Sequence, residues 1–272
     1  MLPRPISPAL AIMICLLLWA IGDQLWSALS WGHDSFQLTE WLINYSGGFV
    51  RRGLTGAMIG IVGRSTGIQA NYLIIGFSLV CYLILSLWFL RHATRTFPAI
   101  LILSCMVMGF PAYQDCIIRK DCLGLLLLLA CLKIDHSRMP RHFAIPAINL
   151  IAVAAILCHE SFVFFGLPAL IFYGSRESSP LSFNQLLRRC LALLPTAICF
   201  SCVAVFHGTP QIAVAVNDSW LPLWRILDPG NPQILSPSAA IQALGMPVCW
   251  NIHSFIVASP ISRHLQVIWS WF

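Results

Sequence analysis

The chain has 272 residues, of which 58% are hydrophobic and only 10% charged, with a formal net charge of +6. Soluble domains carry about 25% charged residues, so this composition excludes a soluble globular protein and points to an integral membrane protein. In such a chain the positive charge reflects topology, and no RNA- or DNA-binding pattern accompanies it.

Apolar runs of spanning length predict an all-α, polytopic transmembrane bundle of about 7–8 spans. The N-terminal MLPRPISPALAIMICLLLWAIG has the arginine and apolar core of a signal peptide. Its run continues through Trp19 and Trp26 to Trp31 without a small-x-small cleavage site, so it reads as an uncleaved first span over residues 9–29. Residues 36–61 mix Trp41, Leu42, Phe49 and Leu54 with polar groups. That pattern predicts amphipathic helices at the interface or re-entering the bilayer. Further spans are expected over residues 71–90, 98–113, 122–134, 143–158, 161–173 and 190–206. A weaker eighth falls within 234–258, broken by Pro237 and Pro247. The whole of 1–272 reads as a single integral membrane domain, with outer loops at 31–68 and 207–233. The terminal HLQVIWSWF has no polar tail, which raises the expectation of a truncated or reduced chain.

With the N-terminus in the cytoplasm, Arg4, Arg91, Arg95, Lys133, Arg138, Arg141, Arg176, Arg188, Arg189 and Arg263 fall inside. Arg51, Arg52, Arg64, Arg119, Lys120 and Arg225 fall outside. Ten against six agrees with the positive-inside rule. Of the acids, only Asp135 and Glu177 fall inside, while Asp23 lies near the outer end of the first span. The eleven cysteines sit mostly in apolar runs, where cysteine behaves as a small hydrophobe. The Cys199–Cys202 pair lies mid-membrane, and no disulfide framework is implied.

Five features converge on the outer face. Asp34 in SWGHDSF follows the first span, with Glu40 six residues on. Arg51 and Arg52 lie between Gly47–Gly48 and Gly53 in NYSGGFVRRGLTG. Asp115, Arg119, Lys120 and Asp121 form DCIIRKD at a turn between two short spans. His159 and Glu160 form CHESF at another such turn. Asn217, Asp218, Trp220, Trp224 and Arg225 lie in the loop from 207. Short helices that end in charged corners predict a water-filled outer cavity, because lipid penalises those charges.

A carboxylate in such a cavity can deprotonate a sugar hydroxyl or hold a divalent metal ion. Adjacent arginines grip phosphate bidentately, His159 can act as base or donor, and rim aromatics can stack on sugars. Each feature also has a structural reading. Asp34 serves as a solvated loop acid. Arg51 and Arg52 anchor to lipid headgroups. Asp121 caps the next helix while Arg119 pairs with Asp115, and His159–Glu160 is a buried pair fixing two helices. HESFV lacks the second histidine of HExxH, and Walker, Rossmann and GxSxG patterns are missing.

These residues resemble bacterial envelope-polysaccharide membrane proteins: the C-type integral membrane glycosyltransferases and the O-antigen or exopolysaccharide polymerases. The resemblance covers about residues 9–173 and rests on Asp34, the 36–61 segment, IIRKDCLGLLLLLACL and AAILCHESFVFFGLPAL. It implies transfer of a sugar from a polyprenyl-phosphate carrier at the outer face of the bacterial inner membrane. Asp34 would be the catalytic acidic residue, with Glu40 second. His159 and Glu160 would stand in the catalytic set, and Arg51, Arg52, Arg119 and Lys120 would bind phosphate. Asp115 and Asp121 would play secondary or structural parts. No cofactor is assigned, though a divalent metal ion is compatible; the expected partners are the lipid bilayer, the lipid-linked sugar and a membrane-protein partner. The families usually have more helices and a longer chain. A transporter or permease, with Asp23 as its membrane acid, and a non-catalytic membrane subunit are the alternatives.

Overall fold

The computed structural model describes residues 36–93, 118–173, 182–206, 208–224 and 239–245, with Trp19, residues 21–23, Trp26 and Pro237. Among the described residues the regular structure is helical and no strand occurs. We number the helices α1 (Phe36–Leu42), α2 (Gly53–Thr66), α3 (Ala70–Ala93), α4 (Asp121–Asp135), α5 (Arg141–Cys158) and α6 (Phe162–Phe172). The rest are α7 (Phe183–Ala192), α8 (Leu194–Val205), α9 (Pro210–Asp218), α10 (Leu221–Trp224) and α11 (Ala239–Gln242), followed by a 3-10 turn at Ala243–Gly245.

Local chemistry explains where these helices start and stop. Helix α2 ends at Gly67, whose φ of 71° lets its N–H reach back to the Gly63 carbonyl at 2.9 Å. Helix α4 carries Asp121 in its first turn and Lys133 in its last, each on the side the helix dipole favours. A capping box opens α7: the Ser182 hydroxyl accepts from the Gln185 N–H, and the Gln185 side chain accepts from the Ser182 N–H. Pro195 in the first turn of α8 cannot continue the preceding ladder, and α7 and α8 meet at 57°. The expected outer loop from residue 207 is helical at α9 and α10. Thr209 caps α9 by accepting from the Ile212 N–H at 3.3 Å, and Pro210 pre-sets its first turn.

Two helices are long and apolar enough to cross a bilayer, namely residues Ala70–Trp88 of α3 and the whole of α5. The bent pair α7–α8 makes a third if taken as one span. The described residues therefore do not reach the expected 7–8 spans. Helices α4 and α6, expected as spans, have 15 and 11 residues. They rise about 22 and about 16 Å at 1.5 Å per residue, against a hydrocarbon core of about 30 Å. The expected third span lies outside the described residues, and the first and eighth lie largely outside them.

Two main apolar cores result. One joins α1, the first half of α3, α9 and α11 through Trp41, Ile74, Val216, Trp220 and Ile241. The other joins α4, α5, α6 and α8 through Cys131, Ala152, Ile156, Phe162 and Val203. Helix α2 packs on α1, α3 and α5 and so connects the two. Its glycines make that contact possible. A Cβ at Gly56 would collide with the Ile43 carbonyl and lie 2.8 Å from the Trp41 carbonyl oxygen. Helix α1 does not lie on the surface: Leu38, Thr39, Glu40, Trp41 and Leu42 are all buried.

A polar bridge fixes the second core. The Asn149 amide of α5 donates to the Ala192 carbonyl at 2.8 Å and accepts from the Thr196 hydroxyl at 2.7 Å, on either side of the α7–α8 bend.

Candidate functional site

Where the two cores meet, five charged side chains and a histidine converge from distant parts of the chain. Arg52 is the hub. Its Nε donates to both Glu160 oxygens at 2.8 and 2.7 Å, its Nη2 also meets Glu160, and its Nη1 donates to Glu40 Oε1 at 2.9 Å. This guanidinium is held by an uncommon backbone. Arg52 has φ 63°, the left-handed region, at the entrance to α2. The next residue, Gly53, sits against the Tyr45 ring, where a Cβ would collide.

His159 closes the other side. Its Nδ1 accepts from the Ser161 N–H at 3.1 Å, which leaves Nε2 to donate to Glu40 Oε1 at 2.8 Å. The backbone thus fixes both tautomer and ring orientation. Lys120, at the entrance to α4, is 1% exposed. Its ammonium donates to the Arg52 and Cys158 carbonyls, each at 3.2 Å, and stands 5.7 Å from the Trp41 ring centre. Arg51 is the loosest member, 3.8 Å from Glu160 and at 3.5 Å from the Ala243 carbonyl.

Two buried atoms of the cluster have no hydrogen-bond partner: the acceptor Oε2 of Glu40 and the donor Nε of Arg51. Glu40 itself is 1% exposed. Such orphans are rare and costly; four others among the described residues, at Thr55, Gln69, Asn71 and Ser78, lie outside the cluster.

The electrostatics follow from the geometry. Burial opposes charge on Glu40, yet the His159 hydrogen bond and the charges of Arg52 and Lys120 outweigh it and hold the carboxyl at about 2. Burial of Glu160 is likewise outweighed, chiefly by its bonds to Arg52, and its carboxyl also stands at about 2. Burial pushes the Lys120 ammonium down to about 8, against the pull of Glu40. Three cations face two carboxylates, and α2 and α4 both begin here. Their N-terminal dipole ends add positive potential. The cluster thus carries one more cation than carboxylate.

The expected residues fall out as follows. Glu40, Arg51, Arg52, Lys120, His159 and Glu160 meet in this cluster. Arg119 and Asp121 do not join it; they pair with each other at 3.3 Å on a half-exposed edge. Asp121 lies inside the first turn of α4 with Lys120 at the cap position, so it does not cap that helix. Asp34 and Asp115 lie outside the described residues. Trp220 is no sugar platform, because it is buried and donates Nε1 to the Leu42 carbonyl at 2.6 Å. Trp41 was not singled out from the sequence, although a lone tryptophan next to a buried acid was a usable signal. Among the described residues no group of three His, Cys, Asp or Glu stands together to hold a metal ion. Both glutamates of the cluster already face a guanidinium, so this donor set does not fit a divalent cation.

Residues 9–237 match the family model described as Uncharacterised membrane protein Rv1490. The chain belongs to that family. The family match and the apolar helices make it a membrane protein, in contact with a lipid bilayer. The matched segment contains all six residues of the cluster. No curated protein and no solved structure matches the chain.

Proposed function

We propose that this family member is a membrane glycosyltransferase or polysaccharide polymerase acting on a polyprenyl-phosphate-linked sugar. It works at the extracytoplasmic face of the bacterial inner membrane, with its N-terminus in the cytoplasm. One observation carries the reading: the cluster holds a buried acceptor and a buried donor, Glu40 Oε2 and Arg51 Nε, each without a partner. A sugar hydroxyl would satisfy the first and a phosphate oxygen the second. A sugar phosphate brings both.

In this scheme the acceptor hydroxyl gives its proton to Glu40. Its oxygen bonds to the anomeric carbon as the bond from that carbon to the phosphate oxygen breaks. The carrier phosphate leaves with the bonding pair, and Arg51 and Lys120 meet its charge. The proton then passes from Glu40 to water. His159 and Arg52 are positioning residues, since both act by holding the other Glu40 oxygen. Asp34, the catalytic acid that the family resemblance puts first, lies outside the described residues and is the alternative base of the scheme.

The test is glycan analysis in a deletion strain. Glu40→Gln and Arg51→Ala are expected to accumulate lipid-linked precursor and lose polymer at unchanged membrane level. Normal glycan from both variants sinks the reading. A second reading, a non-catalytic membrane subunit or a transporter, draws on the Arg52–Glu160 pair, which closes much of the cluster on itself. That reading gains if Arg52→Ala removes a co-purifying partner or a transport activity while glycan stays normal.

A further inference from the structure

Lys120 stands at the start of α4, and a helix of 15 residues carries Lys133 about 20 Å away from the Glu40 cluster. At that opposite end, α3, α4 and Tyr173, which closes α6, surround a cavity of about 830 Å³. Its floor is Leu126, Leu129 and Ala130, flanked by Ile84. Arg91, Lys133, His136 and Tyr173 complete the lining, and no carboxylate is among the described lining residues. His136 spends Nδ1 on the Leu132 carbonyl at 2.8 Å, which leaves Nε2 for another partner.

A second observation marks this end as the headgroup level. Helix α7 exposes Phe183, Leu187 and Leu191 at every fourth position and carries Arg188 and Arg189. Bent 57° from α8, it has the form of a helix lying along the membrane surface. Arg189 donates to the Ile171 carbonyl at 3.0 Å, two residues before Tyr173. That bond ties the surface helix to the rim of the cavity.

We propose that the cavity binds one anionic phospholipid, with its phosphate at Arg91 and Lys133 and an acyl chain along Leu126, Leu129 and Ile84. The combination selects the ligand. A free phosphate would leave the apolar floor without a partner, and a choline headgroup would set a cation beside the cations Arg91 and Lys133. Basic pockets between spanning helices are a recurrent way to hold acidic headgroups. The site is independent of the sugar-transfer reading.

The test is native mass spectrometry of the full chain with added phosphatidylglycerol, phosphatidylcholine or inorganic phosphate. Phosphatidylglycerol is expected to be retained in preference to phosphatidylcholine. The Arg91→Gln/Lys133→Gln variant is expected to lower that retention about tenfold or more. Ala130→Trp, which fills the floor and keeps the charges, is expected to lower it too. Lys133→Gln alone, at an exposed position, supplies the measurement should the double variant fail to fold. Equal retention of the two lipids overturns the proposal, as does retention unchanged by the substitutions. Displacement of the lipid by inorganic phosphate also overturns it, by showing a plain anion site.

Discussion

Arg52 and Glu160 are 108 residues apart in sequence and share a two-pronged ion pair at the junction of two apolar cores. Removing the arginine would leave buried Glu40 and partly buried Glu160 without their shared cation. Breaking a buried pair from one side costs about 3–5 kcal/mol. Arg52→Ala is therefore expected to unfold at much lower temperature in detergent. Arg52→Ala/Glu160→Gln should recover part of the loss, because the uncompensated charge goes with it. A double variant no more stable than Arg52→Ala would show that the pair contributes nothing as a unit.

Acid should weaken the same junction. Both carboxyls are held at about 2 in the folded chain, below the unfolded glutamate value of about 4.3. A depressed carboxylate stabilises fully above the unfolded value and loses that contribution as pH falls toward the folded one. Melting temperature is thus expected to drop as pH falls from about 4.3 toward about 2. Glu160→Gln should flatten the slope. An equal slope in wild type and variant would assign the acid sensitivity elsewhere.

Two glycines should respond in opposite directions to alanine. At Gly56 a methyl group meets the Ile43 and Trp41 carbonyls, so Gly56→Ala must push α2 away from α1. A loss of about 1–3 kcal/mol is expected for such overpacking. At Gly76, in α3, nothing lies within 4 Å of the added carbon. Gly76→Ala should gain about 0.5–1 kcal/mol through helix propensity. Thermal unfolding of the two variants side by side decides the matter.

Asn149 makes four hydrogen bonds to three residues. Its amide donates to Ile145 and Ala192 carbonyls, and its oxygen accepts from both the Thr196 hydroxyl and N–H. Asn149→Leu fills similar space but leaves the Ala192 carbonyl and Thr196 without this partner. A cost of about 1–2 kcal/mol is expected, with faster proteolysis or hydrogen exchange at the α7–α8 bend. Unchanged protection there would make the bridge incidental to the bend.

The helical class was legible because apolar runs leave few other choices in a bilayer. The members of the Glu40 cluster were legible too, since charges in so apolar a chain stand out. Their partners were not. Nothing local in RRG says that Arg52 takes two glutamates from opposite directions while Arg51 keeps a free nitrogen. The Arg119–Asp121 pair was hidden for a different reason: two acids, Asp115 and Asp121, flank that arginine in sequence, and the turn into α4 is what brings Asp121 to it. Asn149 was overlooked because a lone amide in an apolar run looks tolerated until its bridge to Thr196 is seen. The turn at residues 159–161 was legible too, since the expected spans 143–158 and 161–173 part there. The break at Leu193 was not, because an unbroken apolar run over residues 190–206 does not show where it bends.

The separation of Arg52 from Glu160 also sets an order of events during synthesis. Arg52 emerges with Glu40 only 12 residues before it, whereas Glu160 follows 108 residues later. At roughly 5–20 residues per second, that is a wait on the order of ten seconds. During it, Glu40 is the carboxylate at hand for Arg52, and α4 and α5 must both be delivered before the second can arrive. The ion pair therefore forms only after the helices between its two halves have been made, while α8, α9 and α11 are still to come.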